Sequence, residues 1–265
     1  MTDVVHAEWT KVRTLPGTGW LLLAAAALTV AVGAVAANAV TCPAGGCQLD
    51  PAKVSLTGVD LGQAIVAIVA VTVVSGEYST GMIRLTLAAT PRRWRVLAAK
   101  AVVLAAVTFA AGLVAAVIVI PVGERLLHEN GNPIPPVTML TWLQVVVGTA
   151  ALLAVSAVLG LAVGTLLRRS AGAVTAVIAG IVLPYLLATV PGILPVGAEQ
   201  WLLRVTPAAG FAVQGTLTQY PQVNTVYTPG TGYFPLAPWA GFAVLCAWAA
   251  AALVLALFLL RRRDT

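Results

Sequence analysis

The sequence predicts an all-α integral membrane protein with six transmembrane helices, and two observations carry that prediction. The first is composition: of 265 residues, 60% are hydrophobic and only 9% are charged. A soluble domain of this length needs far more charge to cover its surface. The second is where charge is missing. No Asp, Glu, Lys or Arg occurs from Trp20 up to Asp50, or over 101–123, 130–167, 170–198 and 205–260. Crossing the hydrocarbon core takes about 20 apolar residues at ~1.5 Å rise each, so several of these runs can cross it.

The spans are placed at Trp20–Val40, Val59–Ser75, Val96–Val122, Met139–Leu167, Ala171–Val190 and Trp239–Leu260. The second is short and begins with Asp60 and Gln63, which are expected at the outer headgroup level. Ahead of the first span, Val5, Trp9 and Val12 recur at helical spacing, with Asp3, Glu8 and Lys11 off that stripe. Residues 1–18 therefore read as an amphipathic interface helix, with Trp9 at headgroup level and Lys11 beside it. The first span ends in Ala37-Asn38-Ala39, which resembles a signal-peptidase site. Its apolar stretch is longer than the ~7–15 residues of a signal peptide, so it reads as an uncleaved span.

Orientation follows from basic residues, which accumulate on the cytoplasmic side. Placing the N-terminus inside puts Lys11, Arg13, Arg84, Arg92, Arg93, Arg95, Lys100, Arg168, Arg169 and Arg261 to Arg263 on that side. Only Lys53, Arg125 and Arg204 remain for the outside, completing the 15 Lys and Arg of the chain. Both termini are expected in the cytoplasm of a cell-membrane protein. The net charge of +6 is thus a topology signal, and no nucleic-acid partner is implied.

The outer segments differ in character. Residues 123–138 hold Asn-Gly-Asn-Pro-Ile-Pro-Pro and read as an irregular loop. Residues 191–238 contain apolar stretches too short to cross, suggesting re-entrant or interfacial helices before the last span. Cys42 and Cys47 flank a Pro/Gly turn; they could bind metal but lack nearby soft ligands, so a short outer-loop disulfide is the better reading. Cys246 reads as a packing residue. No metal site or catalytic constellation stands out.

The connection between spans two and three is the most distinctive stretch. It runs Gly76-Glu77-Tyr78-Ser79-Thr80-Gly81-Met82-Ile83-Arg84-Leu85-Thr86-Leu87-Ala88-Ala89-Thr90-Pro91-Arg92-Arg93-Trp94-Arg95. Met82, Ile83, Leu85 and Leu87 can form the apolar side of a surface helix that Pro91 ends. Arg92, Arg93 and Arg95 then meet the anionic leaflet, Trp94 anchors, and Lys100 is expected to snorkel to the headgroups. The pattern Glu-Tyr-x-x-Gly-x-Ile-Arg, then Leu-Ala-Ala-Thr-Pro-Arg-Arg and a downstream Ala-Lys, resembles the same connection in ABC type-2 transporter permeases. The N-terminal helix, the long segment before span six and the terminal Arg-Arg-Arg extend that resemblance over nearly the whole chain.

The resemblance implies one transmembrane permease domain over 1–265, with a coupling-helix loop at 76–91 that docks on an ATPase subunit. Glu77 and Tyr78 would begin the coupling helix and Thr80, Gly81, Met82, Ile83, Arg84 and Leu87 would form its body. It further implies two copies of the ATPase, a second permease copy and contact with lipid. ATP and Mg would sit on the partner. None of the three lysines is followed by Ser or Thr, so this chain lacks the phosphate-cradling loop of an ATPase and carries no cofactor of its own. Few ionisable residues in the spans argue against an ion-driven mechanism. The expected function is ATP-driven export of a hydrophobic or amphiphilic cargo such as a drug, antibiotic or lipid. The alternatives are a non-transporting scaffold or immunity protein, and an ion-coupled secondary transporter.

Overall fold

The computed structural model describes residues 2–14, 16–41, 50–82, 93–132, 134, 136–189, 193–216 and 236–263. Cys42, Cys47, Ile83, Arg84, Leu87 and Arg92 lie outside the described residues, and so do the expected disulfide and most of the expected coupling helix.

Nine α-helices and no strand occur among the described residues: α1 (Thr2–Thr14), α2 (Pro16–Ala39), α3 (Pro51–Ser55), α4 (Val59–Ser79), α5 (Arg93–Glu129), α6 (Met139–Leu167), α7 (Ser170–Thr189), α8 (Val196–Val205) and α9 (Pro238–Arg263). A 3-10 turn, Leu56–Gly58, joins α3 to α4, and a longer 3-10 helix, Pro207–Gln214, follows α8. Six segments are long and apolar enough to cross a membrane: Gly17–Ala39, Pro51–Ser79, Arg93–Glu129, Met139–Leu167, Ser170–Ala188 and Pro238–Leu260. The chain is a multi-pass α-helical membrane protein.

The helix α6 is the hub. It packs on α4, α5, α7, α9 and the Pro207–Gln214 helix, and most of it is buried. Small residues make this close approach feasible. A Cβ placed on Gly112 of α5 would lie 3.0 Å from Ala150 Cα, and one on Gly160 of α6 would lie 3.0 Å from the Ala70 methyl of α4. In lipid, such backbone proximity replaces the hydrophobic drive that water supplies elsewhere. The Gly160-x-x-x-Gly164 pair therefore packs within the chain, against α4.

Several segment ends depart from the sequence reading. At ~1.5 Å per residue, the 37 residues of α5 reach about 55 Å, well beyond a bilayer core. The helix therefore continues through Glu124, Arg125 and Glu129, where an irregular loop was expected. Charges that project past the hydrocarbon do not stop a helix. The following turn uses Gly131 at φ +76°, and Asn130 and Asn132 donate to the carbonyls of Asn38 and Val40 at 3.0 and 2.9 Å.

Residues 50–58 are likewise no exposed loop. All five residues of α3 are buried, with Ser55 wedged where Cβ atoms on Gly33 of α2 and Gly123 of α5 would otherwise stand. Gln63, expected at headgroup level, is 1% exposed and donates to Ser156 Oγ at 2.6 Å. A polar side chain removed from water needs such a partner. The described part of 191–238 forms α8 and the Pro207–Gln214 helix, all eight residues of which are buried against α6, α7 and α9. Cys246 is partly buried within α9.

Candidate functional site

Two polar constellations interrupt the apolar bundle, one at each end. The first lies at the end holding α1, the close of α4, the start of α5 and the close of α9. Glu8 is the buried residue of α1, and it faces Glu77 in the last turn of α4 and Lys100 near the start of α5. Lys100 Nζ donates to Glu8 Oε2 and to Glu77 Oε1, each at 2.6 Å. Lys11 Nζ donates to Glu8 Oε1 at 2.9 Å and to Glu77 Oε1 at 3.0 Å.

Two cations and two anions thus close a charge-balanced ring joining three helices. The side chains of Lys100, Glu8 and Glu77 are 3%, 5% and 9% exposed, against 33% for Lys11. Lys100 therefore turns inward to two carboxylates instead of snorkelling to headgroups. Glu77 Oε2 has no hydrogen-bond partner among the described residues.

Burial works against the Lys11 charge, but hydrogen bonds to Glu8 and Glu77 and their negative charge outweigh it, placing its pKa above the ordinary lysine value. A raised lysine pKa adds stability that is complete below the unfolded value of about 10.4 and lost only as pH rises through the folded value. Lys11 is therefore charged throughout the neutral range.

Neighbouring contacts extend this joint to α6 and α9. Arg168 caps α6 in the left-handed region at φ 54°, uncommon for a residue with a side chain. Its N–H donates to Gly164 O at 2.9 Å, and its guanidinium lies 5.1 Å from the centre of the Tyr78 ring. Arg93 Nη1 donates to Leu260 O of α9 at 2.6 Å. Arg95 stacks on Trp94 at 5.6 Å, and Trp9 and Trp94 are both exposed, at 46% and 42%.

The helix α4 ends by an ordinary device. Thr80 N–H donates to Gly76 O at 3.1 Å, and Gly81 adopts φ +69° as its left-handed stop. Glu77 and Tyr78 therefore close span two and do not begin the next helix, correcting the sequence assignment. Hydrogen bonding carried the helix past Ser75 although hydropathy had already fallen. Thr80 and Gly81 form the turn, and Met82 is exposed just beyond it.

The second constellation, at the opposite end, was not foreseen. Lys53, assigned to an outer loop, is 5% exposed. Its Nζ donates to Gln214 Oε1 at 2.5 Å and lies 4.9 and 5.1 Å from the ring centres of Phe211 and Tyr185. Asp50 caps α3 by accepting from Lys53 N at 3.2 Å, and it accepts from Thr216 N at 2.6 Å and Thr216 Oγ1 at 2.8 Å. Burial raises the Asp50 carboxyl pKa, opposed by those hydrogen bonds. The sequence signal available was an Asp-Pro helix start, which locates α3 but not its partners 161 and 166 residues away.

Comparison with known families settles the class. The model of the ABC-2 family transporter protein matches residues 61–265. This chain belongs to the ABC-2 transporter family. Comparison with curated proteins finds no match. The match places the chain as the membrane subunit of a transporter. It takes in Glu77, Lys100, Arg168 and the whole segment from α5 to α9, whereas Glu8, Lys11 and α3 precede it.

Proposed function

We propose that this ABC-2 family permease is the membrane pathway of an ATP-driven exporter, powered by a separate ATPase that docks on the 80–92 connection. The observation that carries the reading is the ion-paired joint at the base of that connection. A push on a flexible loop is lost in the loop; a push on one flanked by Glu77 and Lys100 moves α4, α5 and α1 together. Two ATPase copies beneath two permease copies would deliver that push symmetrically, with ATP and Mg bound on the ATPase chains. Tilting of spans one, two and five would then open the pathway outward. The basic end, with both termini, faces the cytoplasm of the cell membrane in this reading. A mainly uncharged bundle suits a hydrophobic or amphiphilic cargo.

The buried Lys53 gives the ion-coupled alternative a specific observation, since ionisable groups inside a membrane often mark ion paths. That mechanism requires cargo movement driven by an ion gradient with no ATPase present. For the preferred reading, Arg84→Glu should weaken association with the ATPase at least tenfold in a pull-down from detergent. An unchanged pull-down would remove Arg84 from the docking surface.

A further inference from the structure

We propose that Asp60 selects the cargo: an unpaired carboxylate at the open side of α4, it binds the positive charge of a lipophilic cation passing through the membrane. The inference deepens the exporter reading above, from which it takes the pathway and whose cargo class it narrows.

The position follows from what packs around α4. One side of this helix is committed to α6, where Gly160 and Gly164 lie against Ala67, Ala70 and Val71. Another is committed to α2, where Thr29 lies against Gly62. A third side is left uncovered. Leu61, Thr72, Gly76 and Ser79 are exposed along it, and Ala64 and Ile68 are half-buried. Asp60 is half-buried at the rim of that side, one turn before Ala64, within electrostatic reach of Lys53 and of Tyr185 on α7.

Depth makes this carboxylate unusual. Asp60 stands 17 positions before Glu77, about 25 Å of helix at ~1.5 Å per residue. With Glu77 at the inner boundary, Asp60 falls within a hydrocarbon core of about 30 Å, toward its outer side. It makes no hydrogen bond or ion pair with any described residue. The flanking helices α2, α6 and α7 carry no Asp, Glu, Lys or Arg. Lys53 is the cation in reach, and its ammonium is committed to Gln214 Oε1 and to the rings of Phe211 and Tyr185. Asp50, buried three positions from Lys53, offsets that charge, so the group as a whole stays negative.

An ionisable side chain at this depth is costly against lipid and turns instead to protein or to water. Protein supplies Asp60 with no partner, so its open side faces water. The composition of that side agrees, since Thr72, Gly76 and Ser79 continue it to the inner end. A wall of this kind, otherwise uncharged, concentrates cations and repels anions. It therefore favours an apolar body carrying a positive charge over the same body carrying a negative one.

The test uses two probes of similar size and opposite charge, tetraphenylphosphonium and tetraphenylborate. Binding is measured on the permease alone in nanodiscs, above the uptake of empty nanodiscs. Asp60→Asn keeps the shape and removes the charge. It should weaken tetraphenylphosphonium binding at least tenfold and leave tetraphenylborate binding within about twofold, while Asp60→Glu keeps the wild-type behaviour. Absence of phosphonium binding by the wild-type chain, or equal binding by Asp60→Asn, overturns the proposal. Equal weakening of both ions would reveal a structural role and overturns it too. A second measurement does not depend on the Asn variant. Asp60→Cys in a Cys42→Ser/Cys47→Ser/Cys246→Ser background should react with a membrane-impermeant thiol reagent; an inert thiol would mean that lipid or a second copy covers the site, and overturns the proposal. Charge-dependent binding by a permease that recruits no ATPase supports the site and sinks only the exporter reading. ATP-driven transport with binding indifferent to Asp60→Asn sinks only the site.

Discussion

The two ends of the bundle solve the same problem, holding polar groups inside an apolar protein, in different ways. The joint of Glu8, Lys11, Glu77 and Lys100 is fully ionic, charge-balanced and shared among three helices. The contact of Asp50 and Lys53 with Gln214 and Thr216 joins charges to neutral amides, a hydroxyl and two aromatic rings, and both ends leave a buried atom, Glu77 Oε2 and Gln214 Nε2, with no hydrogen-bond partner among the described residues. A closed ring of charges is costly to break at any point, because each removal strands a buried partner. Contacts to neutral groups are individually weaker. The ionic end is therefore the costlier of the two to pull apart.

The largest effect expected from this contrast is at Lys100, which alone bonds to both carboxylates from a nearly buried position. Lys100→Met should lower stability by about 3–5 kcal/mol, the range for breaking a buried pair, read as a fall in the thermal midpoint in detergent. A loss under 1 kcal/mol would mean that water or Lys11 already serves the carboxylates, and the contrast between the ends would disappear.

A smaller loss is expected where a cation lies over a ring. Arg168→Ala removes the guanidinium from Tyr78 while keeping a side chain in the left-handed position, and should cost about 0.5–1 kcal/mol. If it equals Lys100→Met, the joint is centred on α6 and not on α1. The smallest effect should come from Arg125 and Glu129, paired at 2.9 Å but with side chains 82% and 54% exposed. Arg125→Ala should change stability by no more than about 0.5 kcal/mol; a larger loss would show that the projecting end of α5 is held by contacts outside the chain.

How much of this the sequence contained depends on the range of the interaction. The bounds of α6 were legible to the residue, because Thr138 supplies a capping hydroxyl to Thr141 N at 3.2 Å and Arg168-Arg169 ends the apolar run. The six spans and the N-terminal helix are likewise local, set by hydropathy and periodicity, whereas the sequence reading ends span two at Ser75, ahead of the actual stop at Gly81. The ring of charges was not. Glu8 bonds to Lys100 across 92 positions and Lys11 to Glu77 across 66, and no local pattern reports that.

Misreadings shared one cause, that hydropathy was taken as the limit of a helix. Glu77 is assigned to the coupling helix and Lys100 to the headgroups in the sequence reading, both standing where apolar runs stop, although the backbone stays helical around them. Lys53 was read as an outer-loop charge for the same reason. In a membrane protein, charge at the edge of a span marks either a face in water or a paired cluster, and only the positions of the other helices distinguish them.

The central claim, that this permease couples to a separate ATPase through its basic end, is tested most directly by one assay. ATP hydrolysis by the ATPase is measured in liposomes with no permease, with the wild-type permease and with Lys100→Met. The account predicts that the wild-type chain recruits the ATPase and raises hydrolysis, and that Lys100→Met recruits it but loses most of that stimulation. Failure of the wild-type chain to recruit the ATPase or alter hydrolysis would contradict it.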